Sequence, residues 1–155
     1  MRVVYVSYEV FPFAKVGGLG DVAGALPKYL RKQGAEVFIV MPKHRIVEKN
    51  AEKFGYTLKK VREGIPVLHV KTSETFDVYE SVLPGTDVKV FFVANDHYFS
   101  SEDVYGGEDL AEQTLFFSVA VLELIKSVDL KPDVIHVNDW QVALIPAYLK
   151  TLYRD

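Results

Sequence analysis

Two short clusters hold most of the residues in this sequence that could do chemistry. The first is Lys15-Val16-Gly17-Gly18-Leu19-Gly20-Asp21. Glycines let backbone N–H groups approach a ligand, a helix N-terminus favours anions, and a lysine adds positive charge, so the combination suits a diphosphate. The same residues also fit a tight turn with Lys15 as a solvated surface charge. The second cluster is His136-Val137-Asn138-Asp139-Trp140-Gln141, where polar side chains crowd the end of an apolar run. Asn138 or Asp139 can equally act as an N-cap, Trp140 can pack, and His136 reads more readily as a hydrogen-bonded core residue than as a catalyst. Tyr98, Phe99 and Tyr105, near Gly106-Gly107, could offer a mobile aromatic surface to sugar rings or be buried. Asp96-His97 and His136 have no metal-site spacing, and no Ser-His-Asp grouping can be argued from order.

The elements around these clusters read as an α/β sheet. Val3 to Ser7 is rich in β-branched residues, as expected of a parallel strand covered on both faces, and Glu9 to Val16 form a loop. A helical pattern follows in which Leu19, Val22, Ala23, Leu26 and Leu30 share one face, with Gly34 as its end and a bend expected from Pro27. Val37 to Val40 is a second strand, completing a β-α-β unit with an expected right-handed crossover. Lys43 to Lys60 reads as a loop with one short helix. Val67 to Lys71, Phe76 to Leu83 and Val88 to Ala94 read as strands of a small antiparallel or mixed edge. A polar, aromatic loop from Asn95 to Glu108 precedes a long helix, Leu110 to Ser127. Val134 to Val137 is a buried parallel strand, and a final helix runs from Gln141 to about Tyr153. In such a sheet ligands bind outside the carboxyl ends of the strands, which is where both clusters fall.

Composition narrows the partners. The chain has 155 residues, 49% hydrophobic and 25% charged, a globular balance with one domain as its natural size. Its 18 Lys plus Arg against 21 Asp plus Glu give a net charge of −3, which argues against nucleic acid or an anionic membrane as partner. The absence of cysteine excludes disulfides, thiolate metal sites and a cysteine nucleophile, and fits a cytoplasmic setting. Met1 to Val10 has neither the apolar length nor the cleavage site of a signal peptide. The longest apolar stretch, Leu115 to Ile125, is interrupted by Ser118 and Glu123 and is shorter than the roughly 20 residues of a membrane span, so it reads as a buried helix.

Taken together, the clusters resemble the bacterial and plant glycogen/starch synthases. That family's Lys-x-Gly-Gly-Leu-x-Asp-Val signature is matched by Lys15, Gly17, Gly18, Leu19, Asp21 and Val22, continuing through Gly24-Ala25-Leu26-Pro27. Its Pro-Asp-x-x-His-x-x-Asp-Trp segment is matched by Pro132, Asp133, His136, Asp139 and Trp140, then by Ala143, Leu144, Pro146, Tyr148 and Leu149. Asn138 and Gln141 stand where bacterial members often have histidine, although plant members also show Asn-Asp-Trp.

The resemblance covers essentially the whole chain. It implies a Rossmann-like, mostly parallel sheet with helices on both faces, residues 1–155 being an incomplete N-terminal, acceptor-side domain of a two-domain GT-B glycosyltransferase. It implies transfer of glucose from ADP-glucose or UDP-glucose to the non-reducing end of an α-1,4-glucan such as glycogen, with retention and with no metal or cofactor. Carried over by position, Lys15 and the Gly17-Gly18 backbone would meet the donor's phosphates and Asp21 would place the nucleotide. Asp139 would lie by the donor glucose as the catalytic carboxylate, and Tyr105, Asn138 and Trp140 would be sugar contacts. A Thr-Val-His-Asn-like segment and a second, nucleotide-sugar-binding domain would lie beyond Asp155, so the chain alone should not catalyse transfer. Apolar surface at the sheet edge should favour self-association.

Two other readings remain at this stage. Gly18 to Ala23 satisfies the G-x-G-x-x-A pattern of nicotinamide dinucleotide enzymes, yet about nine residues intervene after Tyr8 and no acidic residue ends the second strand. The other reading is a non-catalytic module that binds glucan or nucleotide.

Overall fold

The computed structural model describes residues 1–68, 73–107 and 109–154. Its elements in chain order are β1 (Arg2–Val6), α1 (Gly18–Lys32), β2 (Glu36–Pro42), α2 (Arg45–Phe54), β3 (Lys59–Pro66), β4 (Thr75–Val82), β5 (Lys89–Ala94), α3 (Asp96–Phe99), α4 (Leu110–Ser127), β6 (Val134–Val137), a 3-10 turn (Trp140–Val142) and α5 (Ile145–Thr151). The strands form one six-stranded sheet in the order β3-β4-β5-β2-β1-β6, flanked by helices. β1 pairs in parallel with β2 and with β6, and β2 in parallel with β5, whereas β3-β4 and β4-β5 are antiparallel. The expected α/β sheet with a mixed edge is therefore the observed one.

Burial explains the central strands. Val4, Tyr5 and Val6 of β1 and Ile39, Val40 and Met41 of β2 are fully buried, as continuous apolar runs between two helical layers must be. In α4 every residue from Phe116 to Ile125 is buried, so this helix is apolar nearly all round. Its polar members are partnered: the Ser118 hydroxyl donates to the Thr114 carbonyl at 2.8 Å, and Glu123 accepts from the Tyr153 hydroxyl. Asp109 caps it by accepting from the Glu112 N–H at 2.9 Å.

Four details differ from the sequence reading. In α1 the buried residues are Gly20, Ala23, Gly24 and Pro27, while Val22 is exposed. Small residues face inward because the loop before the helix lies on it: a Cβ at Gly24 would sit 2.7 Å from the Phe11 carbonyl oxygen. The helix includes Pro27 and ends, as expected, where Gly34 takes a positive φ of 89°. β6, read from its apolar run as a buried strand, is the edge of the sheet, with Val134 exposed and the rest half-buried. The strand expected at Val67 to Lys71 lies earlier, as β3 over Lys59–Pro66; of that expectation, residues 69–71 fall outside the described residues. The last helix is two pieces, a 3-10 turn and then α5 with Pro146 in its first turn, instead of one helix from Gln141.

Candidate functional site

Because β1 and β6 are parallel neighbours with Val6 opposite Val137, the chain segments leaving both strands emerge at one end of the sheet. Asn138 fastens them there: its side-chain amide donates to the Val6 carbonyl at 2.9 Å and lies 3.3 Å from that of His136. That amide is engaged with backbone, which leaves only the Asn138 side-chain oxygen for a sugar.

The segment after β1 carries the glycine cluster. Phe11 N–H donates to the Gly20 carbonyl at 3.0 Å, holding the loop against α1. Gly17 occupies the N-cap position in extended conformation, no side chain caps the helix, and the first-turn N–H groups of α1 face a positive helix end. A Cβ on Gly17 or Gly18 would meet nothing within 4 Å, so no protein atom requires glycine there, and the space above both is open. Gly20 is different, since a Cβ there would lie 2.8 Å from Cγ of Lys15; this glycine seats the lysine stem. Lys15 Nζ pairs with Asp21 Oδ1 at 2.7 Å, with 40% and 59% of the two side chains exposed. An ion pair this exposed contributes at most about 1 kcal/mol, so an incoming phosphate can displace Asp21 at little cost.

The segment after β6 carries Asp139 in an unusual backbone conformation, φ 70° and ψ 177°. For a residue with a side chain this region costs on the order of 1–3 kcal/mol and persists only where the surroundings impose it. One carboxylate oxygen accepts from the Trp140 N–H at 2.7 Å, so the capping role is real. The other has no hydrogen-bond partner among the described residues. Trp140 is 54% exposed and so does not serve as a core residue. His136 packs its ring 4.8 Å from that of Tyr5 and is half-buried; it is a packing residue, but not the hydrogen-bonded core residue expected, since its imidazole has no hydrogen-bond partner among the described residues.

A buried carboxylate that the sequence reading passed over joins the two segments. Glu9, only 3% exposed, accepts from the N–H groups of Val16 at 2.6 Å and Gly17 at 2.9 Å through one oxygen. Its other oxygen accepts from the Tyr105 hydroxyl. Tyr105 in turn accepts from Gln141 Nε2 at 3.0 Å and stacks on Tyr8 with ring centroids 5.7 Å apart. Burial pushes the Tyr105 phenol well above its usual range, Glu9 adds to the effect, and so does the negative field of Asp139. The structure thus gathers Gly17, Tyr105, Gln141 and Asp139 at one mouth, with Lys15 on the loop before α1 and its partner Asp21 in the first turn of that helix. The Gly17 N–H, already held by Glu9, is unavailable to a phosphate, which leaves those of Gly18 and Leu19. The signal for Glu9 was present in the sequence as a lone acid among Tyr8, Val10 and Phe11 at a strand's carboxyl end.

A second buried ionisable group supports this floor. His44, just after β2, has its Nε2 3.0 Å from the Tyr8 carbonyl oxygen, and burial lowers its pKa to about 4 against small opposing effects from Tyr8 and Glu9. It is a neutral packing residue at pH 7.

The chain matches known proteins along its whole length. A family model described as starch synthase catalytic domain covers residues 2–155. The chain belongs to the starch synthase catalytic domain family. It is 74% identical over 155 residues to a glycogen synthase of Thermotoga petrophila and 59% identical to one of Thermosipho africanus, covering all of this chain and 32% of each relative. Among solved structures it resembles the catalytic domain of starch synthase IV from Arabidopsis thaliana bound to ADP and acarbose, with a TM-score of 0.87 and 30% identity over 98% of this chain and 30% of that one. The chain therefore spans about a third of the length of these family members.

Within the family's fold, β1 ends at Val6 and α1 begins only at Gly18, too long a loop for the dinucleotide fingerprint, whose glycines directly join strand to helix. An apolar groove of about 650 Å³, lined by Leu122, Ile125, Ile135, Ile145 and Leu149 among others, lies along β6, α4 and α5 and includes none of the predicted site residues. No helix among the described residues is long and apolar enough to cross a membrane.

Proposed function

We propose that this chain forms one wall of the cleft of an α-1,4-glucan synthase of the GT-B type, which moves glucose from a nucleotide-glucose to the non-reducing end of a glycogen-like glucan with retention. The observation that carries the reading is the convergence of the lysine-glycine loop and the Asp139 segment on a shared buried carboxylate. ADP-glucose is the favoured donor, because the starch synthase relative was solved with ADP, and UDP-glucose is the alternative. Residues 1–155 then act as the acceptor-side domain, with the nucleotide-sugar-binding domain outside this chain, working in the cytoplasm.

Each residue has a physical task in this reading. Lys15, released from Asp21, and the N–H groups of Gly18 and Leu19 at the positive end of α1 receive the diphosphate. Asp21 then places the nucleotide portion. Asp139 holds its free carboxylate oxygen toward the donor glucose, where it binds hydroxyls or stabilises positive charge developing at the anomeric carbon. Tyr105, Trp140 and the remaining oxygen of Asn138 contact the sugar. No step calls for a metal or a cofactor. The open edge of β6 supports self-association of the chain, for which size-exclusion chromatography at high concentration is the test; a clean monomer argues against it.

Trp140, the single tryptophan of the sequence, reports on the site directly. Titration of its fluorescence with ADP-glucose, UDP-glucose and NAD should give a saturable response to a sugar nucleotide and none to NAD. A response to NAD alone would overturn the assignment in favour of a dinucleotide-binding domain, and a response to maltooligosaccharide alone would favour a glucan-binding module. The isolated chain should show no glucose transfer onto glycogen, and measurable turnover would refute its role as a single wall.

A further inference from the structure

We propose that Glu9, Tyr105 and Gln141 form a one-way hydrogen-bond strut that sets the glycine loop against the Asp139 segment, with Glu9 as the positioning residue. The direction follows from donor chemistry. A carboxylate that receives two backbone N–H groups on one oxygen can only accept on the other, so Tyr105 must donate its single hydroxyl proton to Glu9. The phenol oxygen is then an acceptor, and position 141 must present a donor, as Gln141 Nε2 does at 3.0 Å.

The opposite amide orientation would set the Gln141 side-chain oxygen against a phenol whose proton already belongs to Glu9. In the observed orientation that oxygen is buried without a partner among the described residues. An unmatched buried acceptor is costly, so its presence indicates that the donor contact to Tyr105 outweighs it. Burial strengthens each link: Glu9 and Gln141 are each 3% exposed, and Tyr105 rests on the fully buried Tyr8. Residues 16–17 and 141 are thereby connected through two side chains, although they are far apart in sequence. The functional meaning of the strut rests on the glucan-synthase reading, in which both segments hold one donor; its existence does not.

Hydrogen exchange at the amides of Val16 and Gly17, read relative to the core amides of Val4 and Tyr5, tests this without ligand. Tyr105→Phe and Gln141→Leu should each raise the relative exchange of Val16 and Gly17 about tenfold, although neither residue touches those amides. Gln141→His, which keeps a donor, should return exchange to within threefold of the parent. A change below threefold in Tyr105→Phe overturns the strut, and because that variant loses a single hydroxyl it carries the test even where Gln141→Leu does not fold. A Gln141→His protein exchanging as fast as Gln141→Leu overturns the donor requirement at 141. Addition of ADP-glucose to the parent separates the two proposals. If exchange responds to the substitutions but ADP-glucose protects neither Gly18 nor Trp140, the strut stands and the donor assignment falls.

Discussion

The mouth between β1 and β6 and the antiparallel edge of β3 and β4 use the same kinds of residue in opposite ways. At the edge, Asp77 pairs with Lys60 at 2.8 Å and accepts from the Gly64 N–H at 2.9 Å, and Lys43 and Lys60 flank the ring of Tyr79 at 4.8 and 5.7 Å. Burial works against the Asp77 charge, but Lys60 and the Gly64 amide outweigh it and hold its carboxyl below the usual range. These charges are answered by neighbours in or near solvent. At the mouth, one carboxylate is buried under three donors, a second sits on a backbone that disfavours its side chain, and two glycines open onto empty space. Surfaces whose polar groups are closed on themselves are structural; a surface that keeps strain and open donors is the candidate binding surface.

The difference predicts unequal costs for similar substitutions. Glu9→Ala leaves the Val16 and Gly17 N–H groups and the Tyr105 hydroxyl without acceptors and should cost about 3–4 kcal/mol, lowering Tm by roughly 6–15 °C. Asp77→Ala at the edge should cost below about 1 kcal/mol, because its pair is partly exposed. Equal shifts in thermal unfolding would abolish the contrast.

A pH dependence follows from His44, which supports the mouth from below. The unfolded chain binds its proton near pH 6.5, the folded state only near pH 4. Between these values unfolding takes up a proton, so stability is full above about 6.5 and declines as pH falls toward about 4, by on the order of 3 kcal/mol. His44→Gln, which retains a donor for the Tyr8 carbonyl, should remove this component from denaturant midpoints measured between pH 4 and pH 7. An unchanged slope would show that folding leaves the proton affinity of His44 unaltered.

Two glycines of α1 sharpen the comparison further. Gly24→Ala drives a Cβ against the Phe11 carbonyl and should destabilise by about 2 kcal/mol. Gly18→Ala meets no atom and should stabilise by about 0.5–1 kcal/mol through the unfolded chain, while weakening the ADP-glucose response of Trp140. Loss of stability at Gly18 would mean that its glycine serves the fold.

A similarly small stabilising effect is expected at Asp139. Asp139→Gly removes the side-chain strain at little capping cost and should raise stability by about 1 kcal/mol, visible as a Tm increase of roughly 2–4 °C, while abolishing the fluorescence response. A destabilised Asp139→Gly would show that the carboxylate is held for the fold.

Much of the architecture was legible in the residues. Helix α4 was readable end to end because its apolar run is long, and the runs of β1, β2 and β5 stood out as strands; β6 was legible as a parallel strand but not as the sheet's edge, because its apolar residues look the same as those of a central strand. β3 was misplaced because Lys59-Lys60-Val61-Arg62-Glu63 carries the charges of a solvated edge, and the inward face of α1 was misassigned because its buried side is made of small residues that carry no hydrophobic signal. Lys15 and Gly18 were legible as candidate site residues from type and spacing, and Asp139 as one from the family resemblance. Glu9 and the role of Gln141 were not, since Tyr105, the residue that joins them, lies 96 and 36 positions away respectively.

Local propensity and hydrophobic period determine which segments become strands and helices, and in this chain they also fix that two polar clusters follow two apolar strands. Only the tertiary structure decides that β6 lies beside β1, because that choice depends on pairing energies between segments more than a hundred residues apart. From that adjacency come the burial of Glu9, the direction of the Tyr105 hydrogen bond and the strained backbone of Asp139, each of which exists only where distant parts of the chain are forced into contact.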